Sequence, residues 1–171
     1  EALKVIKNFL SLSKNMKAKD TPNLLVIGHV TTDVINGKPI PDGAAYYSSI
    51  SATRLGHSVA LITRGASDRA SKLLSSLVMV LNLPSQNTTT FRHQYKNWKK
   101  EQWMISRSED ISADHVPIDW KHCPLTLLAL VAGELPLPMS DMLPDALLGI
   151  SPQGWLRRWD AGSCIRPRMW P

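Results

Sequence analysis

Leu24-Leu25-Val26-Ile27-Gly28, followed shortly by Asp33, is the stretch that decides how this chain folds. Four consecutive apolar residues are too few for a helix with a buried face, so a run of this length closed by glycine reads as a strand buried on both sides. Such a strand needs cover over both faces, which α/β sheets provide. Working outward, Asn36-Gly37 sits between Val34-Ile35 and Lys38-Pro39-Ile40, the signature of a tight hairpin. Gly43 to Leu55 is rich in Ala and Ser, lacks proline and is followed by Gly56, which predicts a helix closed by a glycine. Val59-Ala60-Leu61-Ile62 predicts a second buried strand, and Asp68 is placed to cap a second helix over Arg69 to Leu83. Strand, helix, strand, helix is the α/β order.

Further along, the period changes to two. Phe91, His93 and Tyr95 alternate with Thr90, Arg92 and Gln94, and after the polar break at Lys96-Asn97-Trp98-Lys99 the alternation resumes through Glu101, Trp103 and Ile105. This predicts a two-stranded antiparallel flap over about residues 88–107. Leu125 to Val131 and Leu147 to Ile150 read as further strands, joined by a proline-broken connection from Pro136 to Pro144. The expected architecture is a Rossmann-type sheet flanked by helices with a small β flap over residues 23–171, preceded by a basic N-terminal extension over residues 1–22.

Composition bounds the function classes. With 171 residues, 43% hydrophobic and 20% charged, the chain suits one globular domain with a real core. No apolar run approaches the roughly 18 residues needed to span a bilayer, so no membrane partner is expected. Lys and Arg number 20 against 14 acids, a net charge of +6, but most of them fall in three separate places, Lys4 to Lys19, Arg92 to Lys100 and Arg157 to Arg168, which makes a nucleic-acid partner unlikely. Cys123 and Cys164 lie far apart without a CxxC pair, so no zinc site or disulfide framework is signalled and a cytoplasmic setting is expected. Ala2 to Met16 mixes apolar residues with lysines at helical spacing and lacks the features of a secretory signal. His29, His57, His93, His115 and His122 show no metal-ligand spacing and read as surface or internally satisfied residues. Trp98, Trp103, Trp155 and Trp159, flanked by basic residues, read as packing with cation contacts.

A carboxylate just beyond a strand end is well placed to accept hydrogen bonds from ligand hydroxyls, because open α/β sheets bind at the carboxyl ends of their strands. Asp33 stands there. Taken in order, Leu24 to Gly28, Asp33, Gly43, Ala52 with Leu55-Gly56, and Gly65 with Asp68 resemble the N-terminal part of the ribokinase or PfkB family of carbohydrate kinases. Thr88 to Tyr95, Pro117 with Trp120, Leu127 to Glu134 and Gln153-Gly154-Trp155-Leu156-Arg157 resemble its inositol-kinase-like branch. The resemblance implies ATP-dependent phosphoryl transfer to a sugar or polyol hydroxyl, with Asp33 and Gly43 touching the substrate under the flap and Tyr47 beside them. It implies ATP and Mg2+ for the complete family domain.

Three departures bear on this expectation. Asp42 stands where the family carries the first glycine of a pair, and Tyr47 stands where many members carry asparagine. The family's Gly-x-Gly-Asp segment, with its catalytic base and anion-binding helix N-terminus, does not occur, nor does its magnesium-associated Asn-x-x-Glu, and Glu134 is not cast in that role. The chain is therefore expected to be a truncated, substrate-side part of such a kinase, inactive alone, with no catalytic, cofactor or metal residues of its own. A noncatalytic polyol-binding module or one that dimerises through the flap is the alternative, and a basic nucleic-acid binder the third reading.

Overall fold

The computed structural model describes residues 22–66, 72, 74–136, 143, 146–160 and 163–170. The basic extension, the cap and first turns of the second helix, and most of the Pro136 to Pro144 connection lie outside them.

A parallel sheet in the order β5-β4-β1-β8-β9 forms the base, from β1 (Leu24–Ile27), β4 (Val59–Arg64), β5 (Met79–Leu83), β8 (Leu125–Ala129) and β9 (Leu147–Ser151). β1 is central and all four of its residues are at most 3% exposed. Its alternation splits the core in two. Leu25 and Ile27 pack with Ile62, Leu128, Leu130 and Trp155 on one face, while Leu24 and Val26 pack with Leu61, Ala45 and Ala52 on the other. Each such buried aliphatic side chain contributes about 1.5–3 kcal/mol. The second face is covered by α1 (Ala44–Arg54), whose Ala45, Ser49 and Ala52 bring its backbone close to the sheet. As the sequence implies, Gly56 ends that helix at φ +85°, with Gly56 N–H donating to Thr53 O at 2.9 Å and His57 N–H to Ala52 O at 3.1 Å.

Two expectations are corrected. The helix predicted over Arg69 to Leu83 does not reach Leu83: its last five residues are β5, paired in parallel with β4 from Ala60↔Met79 to Arg64↔Leu83. A turn closed by Leu77 and Val78 N–H groups on Leu74 O at 2.8 and 2.9 Å precedes the strand. Pairing with the edge of β4 supplied a ladder that outweighed the local helical pattern.

The flap is also larger than two strands. β6 (Thr90–Lys96) and β7 (Lys99–Ser106) form the predicted antiparallel pair, but β6 also pairs in parallel with β2 (Thr31–Ile35), and β2 pairs with β3 (Lys38–Asp42). The result is a four-stranded lid, β3-β2-β6-β7. The long-range β2–β6 pairing joins two hairpins that each look complete in the local sequence. Phe91 and Met104 on the inner face of this lid pack on Val131 and Ala132, fixing it over the carboxyl ends of the parallel strands. A small hairpin of β10 (Arg157–Trp159) and β11 (Ile165–Pro167) closes the remaining side. Among the described residues no helix is long and apolar enough to cross a membrane.

Both lid hairpins turn through left-handed residues, Asn36-Gly37 at φ 50° and 76° and Asn97-Trp98 at φ 49° and 62°. Trp98 is fully exposed, so its side chain packs on nothing that offsets the strain of that backbone. Trp98→Gly should therefore stabilise the chain by about 0.5–1 kcal/mol, seen as a raised melting temperature. An unchanged or lowered midpoint would contradict this reading of the turn.

Candidate functional site

At the end of β1 the chain leaves the sheet and rises into the lid through Gly28, His29 and Val30. A side chain on Gly28 would put its Cβ 2.2 Å from Ala129 O, so only glycine lets the first segment pass the end of β8 this closely. Glu134 fills the gap between the two strand ends. It is fully buried, and its carboxylate accepts hydrogen bonds from the N–H groups of His29 (3.1 Å), Val131 (3.1 Å to each oxygen) and Ala132 (2.7 Å). Arg107 donates to the carbonyls of Ala132 and Gly133 at 3.0 and 3.2 Å and pairs with Asp110, pinning the same loop from outside.

His29 carries the connection on into the lid. Its Nε2 lies 3.0 Å from Glu109 O and its Nδ1 2.8 Å from the Thr89 hydroxyl, which itself accepts the Ser108 N–H at 3.0 Å. A carbonyl only accepts, so the proton is on Nε2, and the hydroxyl donates to Nδ1. Burial lowers the pKa of this imidazole, in keeping with the neutral tautomer that the partners require. Thr89 and Ser108 lie at the base of the lid, so one hydrogen-bonded set joins sheet and lid.

Above this hub the inner lid face lines a polar cavity of about 100 Å³. Thr31, Asp33, Asp42, His93, Lys100 and Gln102 come from the lid, and Gln153 and Arg157 from the C-terminal segment. Arg157 is held by a 3.2 Å hydrogen bond to Val131 O and by the Phe91 ring, whose centroid is 5.6 Å from its guanidinium carbon. Burial lowers its pKa, and the nearby Asp33, Glu134 and Asp42 oppose that shift.

Asp33 is 6% exposed and its Oδ2 is 2.5 Å from His93 Nε2. Its pKa is pushed up to about 7, first by burial and then by the Asp42 carboxylate within hydrogen-bonding reach, against the pull of Lys100 and Arg157. His93 is lowered by burial and by Lys100. Both shifts favour the neutral forms. A protonated Asp33 is able to donate to the Asp42 carboxylate while its Oδ2 stays beside His93 Nε2. Asp42 Oδ1 also accepts the Gly43 N–H at 2.5 Å.

Of the three residues singled out from sequence, Asp33 and Gly43 line the cavity and Tyr47 does not. Gly43 has φ +104°, and a Cβ there would lie 2.9 Å from His29 O, so two separate constraints require glycine. Tyr47 lies in the first turn of α1, is 53% exposed and packs edge-on against Tyr46, yet it is near enough for the charges of Asp42 and Asp33 to raise its phenol further once burial has done so. It stands at the rim. Sequence reasoning did not single out Lys100, Gln102, Gln153 or Arg157 for the site, and it gave His93 only a generic place. The shared alternation of Phe91 and His93 was the signal that could have found His93.

No protein-family model matches this sequence, and neither does any curated protein. Solved structures do share its architecture. One is a pyrophosphate-dependent kinase in the ribokinase family complexed with a pyrophosphate analog and myo-inositol, with TM-score 0.68 and 23% identity over 85% of this chain and 54% of that one. Ribokinase of Arabidopsis thaliana complexed with ribose and ATP gives 0.53 and 15% over 76% and 52%, and a sugar kinase from Pyrococcus horikoshii complexed with ATP gives 0.58 and 14% over 74% and 52%. This is the ribokinase-like fold. At these identities the likeness is one of fold, and the chain spans about half the length of these proteins.

The sequence has no Gly-x-Gly-Asp, and among the described residues no three His, Cys, Asp or Glu side chains converge as a metal site. What the cavity offers is a set of hydrogen-bonding and charged groups.

The raised Asp33 pKa has a consequence for stability. An unfolded Asp loses its proton near 3.8, while the folded chain keeps it up to about pH 7, so between those values the folded state binds more protons. The contribution of this site to stability is fully present below about pH 3.8 and is lost as pH rises to about 7. His93, lowered in the fold, acts in the opposite sense as its own proton is lost. Asp33→Asn removes only the first effect. Denaturant melts from pH 4 to 7 should show wild type losing stability relative to Asp33→Asn, and a constant difference would contradict the assignment.

Proposed function

We propose that these residues form the acceptor-holding part of a carbohydrate kinase, the part that binds a sugar or polyol whose hydroxyl receives a phosphoryl group. One observation carries this reading: the Asp33 carboxyl group lies in a polar cavity between the lid and the carboxyl ends of β1 and β8, braced by His93. In the ribokinase-like fold, solved relatives are complexed with myo-inositol or ribose. Asp33 accepts hydroxyl hydrogen bonds, Gly43 lets the substrate approach the start of α1, Tyr47 lends a phenol at the rim, and Lys100 and Arg157 balance the charge. The lid excludes the water that would otherwise compete for the donor phosphate. The donor is ATP, with Mg2+ as its counter-ion. The setting is cytoplasmic.

Phosphoryl transfer depends on holding the donor and placing its charge as much as on holding the acceptor. The residues described here serve the acceptor. The 171-residue chain alone should therefore bind a polyol without turning over ATP, which also makes a noncatalytic polyol-binding module the second reading. Acceptor-dependent ADP release by pure protein, across a panel of sugars and polyols, would contradict this.

Charge-assisted hydrogen bonds of the kind given to Asp33 are worth about 1.5–3 kcal/mol each. Asp33→Asn should weaken polyol binding by about tenfold or more in calorimetry at pH 8, with the melting temperature nearly unchanged. A turn carboxylate serving only its own backbone predicts unaltered affinity and a lowered midpoint, and that pattern would remove the substrate assignment.

A further inference from the structure

Two carboxyl groups that face each other in one small cavity cannot both be free acceptors while they share a proton. Asp33 and Asp42 line one cavity from neighbouring strands of the lid, and His93 Nε2 lies 2.5 Å from one Asp33 oxygen. Each member has a fixed role. Asp42 is held by the Gly43 N–H at 2.5 Å, so it accepts. Asp33 lies between Asp42 and His93. The other charged or titratable groups facing Asp33 are Lys100 from β7, Arg157 from β10 and Tyr47 from α1.

We infer that a neutral polyol binds by displacing the proton shared by Asp33 and Asp42, releasing it to solvent, and that His93 is the positioning residue that aims Asp33 for this exchange. The inference rests on the acceptor-site reading above. Ligand hydroxyls each bring a donor, and two of them, one to each carboxylate, replace the single proton that joined the pair. Both carboxylates are then ionised, and Lys100 and Arg157, already lining the cavity, offset the two negative charges. The proton balance closes: one proton leaves Asp33, no bond of the ligand breaks, and no other reactant is needed. The raised Asp33 pKa agrees with the empty-cavity half of this exchange.

Two observables separate the inference from its parent reading. The first uses the chain without ligand. The carbon-13 signal of the Asp33 carboxyl group should titrate near neutrality in wild type, move to lower pH in Asp42→Asn, and move to higher pH in His93→Leu, which removes the donated N–H. His93→Gln keeps a donor and should restore wild-type behaviour. Titration of Asp33 in the ordinary acid range in wild type would overturn the shared proton.

The second is calorimetry of the 171-residue chain with myo-inositol as probe, in two buffers of very different ionisation enthalpy. The heats should differ between buffers by about one released proton per ligand at pH 6 and by about none at pH 9, and affinity should rise about tenfold between pH 6 and pH 8. Asp42→Asn should reduce both effects. Binding with the same heat in both buffers and an affinity flat with pH would overturn the displacement and leave the acceptor site standing. No binding of myo-inositol at any pH would overturn both.

Discussion

Glu134, a carboxylate without contact to solvent, holds together the ends of β1 and β8 where they part, and the site above them depends on it. At this point one chain segment rises into the lid and the other turns toward the C-terminal strands, leaving N–H groups that no ladder can use. The carboxylate takes three of them, from His29, Val131 and Ala132. An unpaired charge at such depth would cost several kcal/mol, so the carboxylate and the three donors each need the other. Because His29 also bonds Thr89 through its ring, the geometry of the sheet passes directly to the base of the lid.

This arrangement explains why the cavity is polar although the layers on either side of β1 are not. Phe91 and Met104 give the lid an apolar footing on Val131 and Ala132, and beyond that footing the same face turns to Asp33, His93, Lys100 and Gln102. Period-two alternation keeps all of them on one side. Arg157 enters from the opposite wall and touches both parts, its guanidinium over the Phe91 ring and its N–H on Val131 O.

Much of the frame was legible in the sequence because it is local. Leu24 to Ile27, the Asn36-Gly37 turn, the Ala- and Ser-rich helix with Gly56 after it, and the alternation from Thr90 onward each carry their own signal within a few residues. The misreadings have one common source, pairing between distant segments. Met79 to Leu83 became a strand because β4 offered an edge, and the flap grew to four strands because β2 lies beside β6. The resemblance of the motifs brought Asp33 and Gly43 into view. His93, Lys100, Gln153 and Arg157 were hidden for the same reason as the pairings: their meaning arises only when β6, β7 and the C-terminal segment are folded around Asp33.

Register is what converts this pairing into chemistry. In the β2–β3 hairpin Thr31 lies opposite Asp42 and Asp33 opposite Ile40, so Thr31, Asp33 and Asp42 share the inner face. A slip by one residue would turn Asp42 outward and break the Asp33–Asp42 contact, since side chains alternate strictly across a strand. The Asn36-Gly37 turn, with both residues in the left-handed region, selects the two-residue loop that sets this register. From the other end Gly43 fixes Asp42, because the close approach of Gly43 to His29 O allows no side chain and its N–H is bonded to the Asp42 carboxylate. Asp42 thus lines the cavity with its side chain tied to the Gly43 N–H, so the hairpin register adds an acidic group to the polar face that Asp33 already occupies.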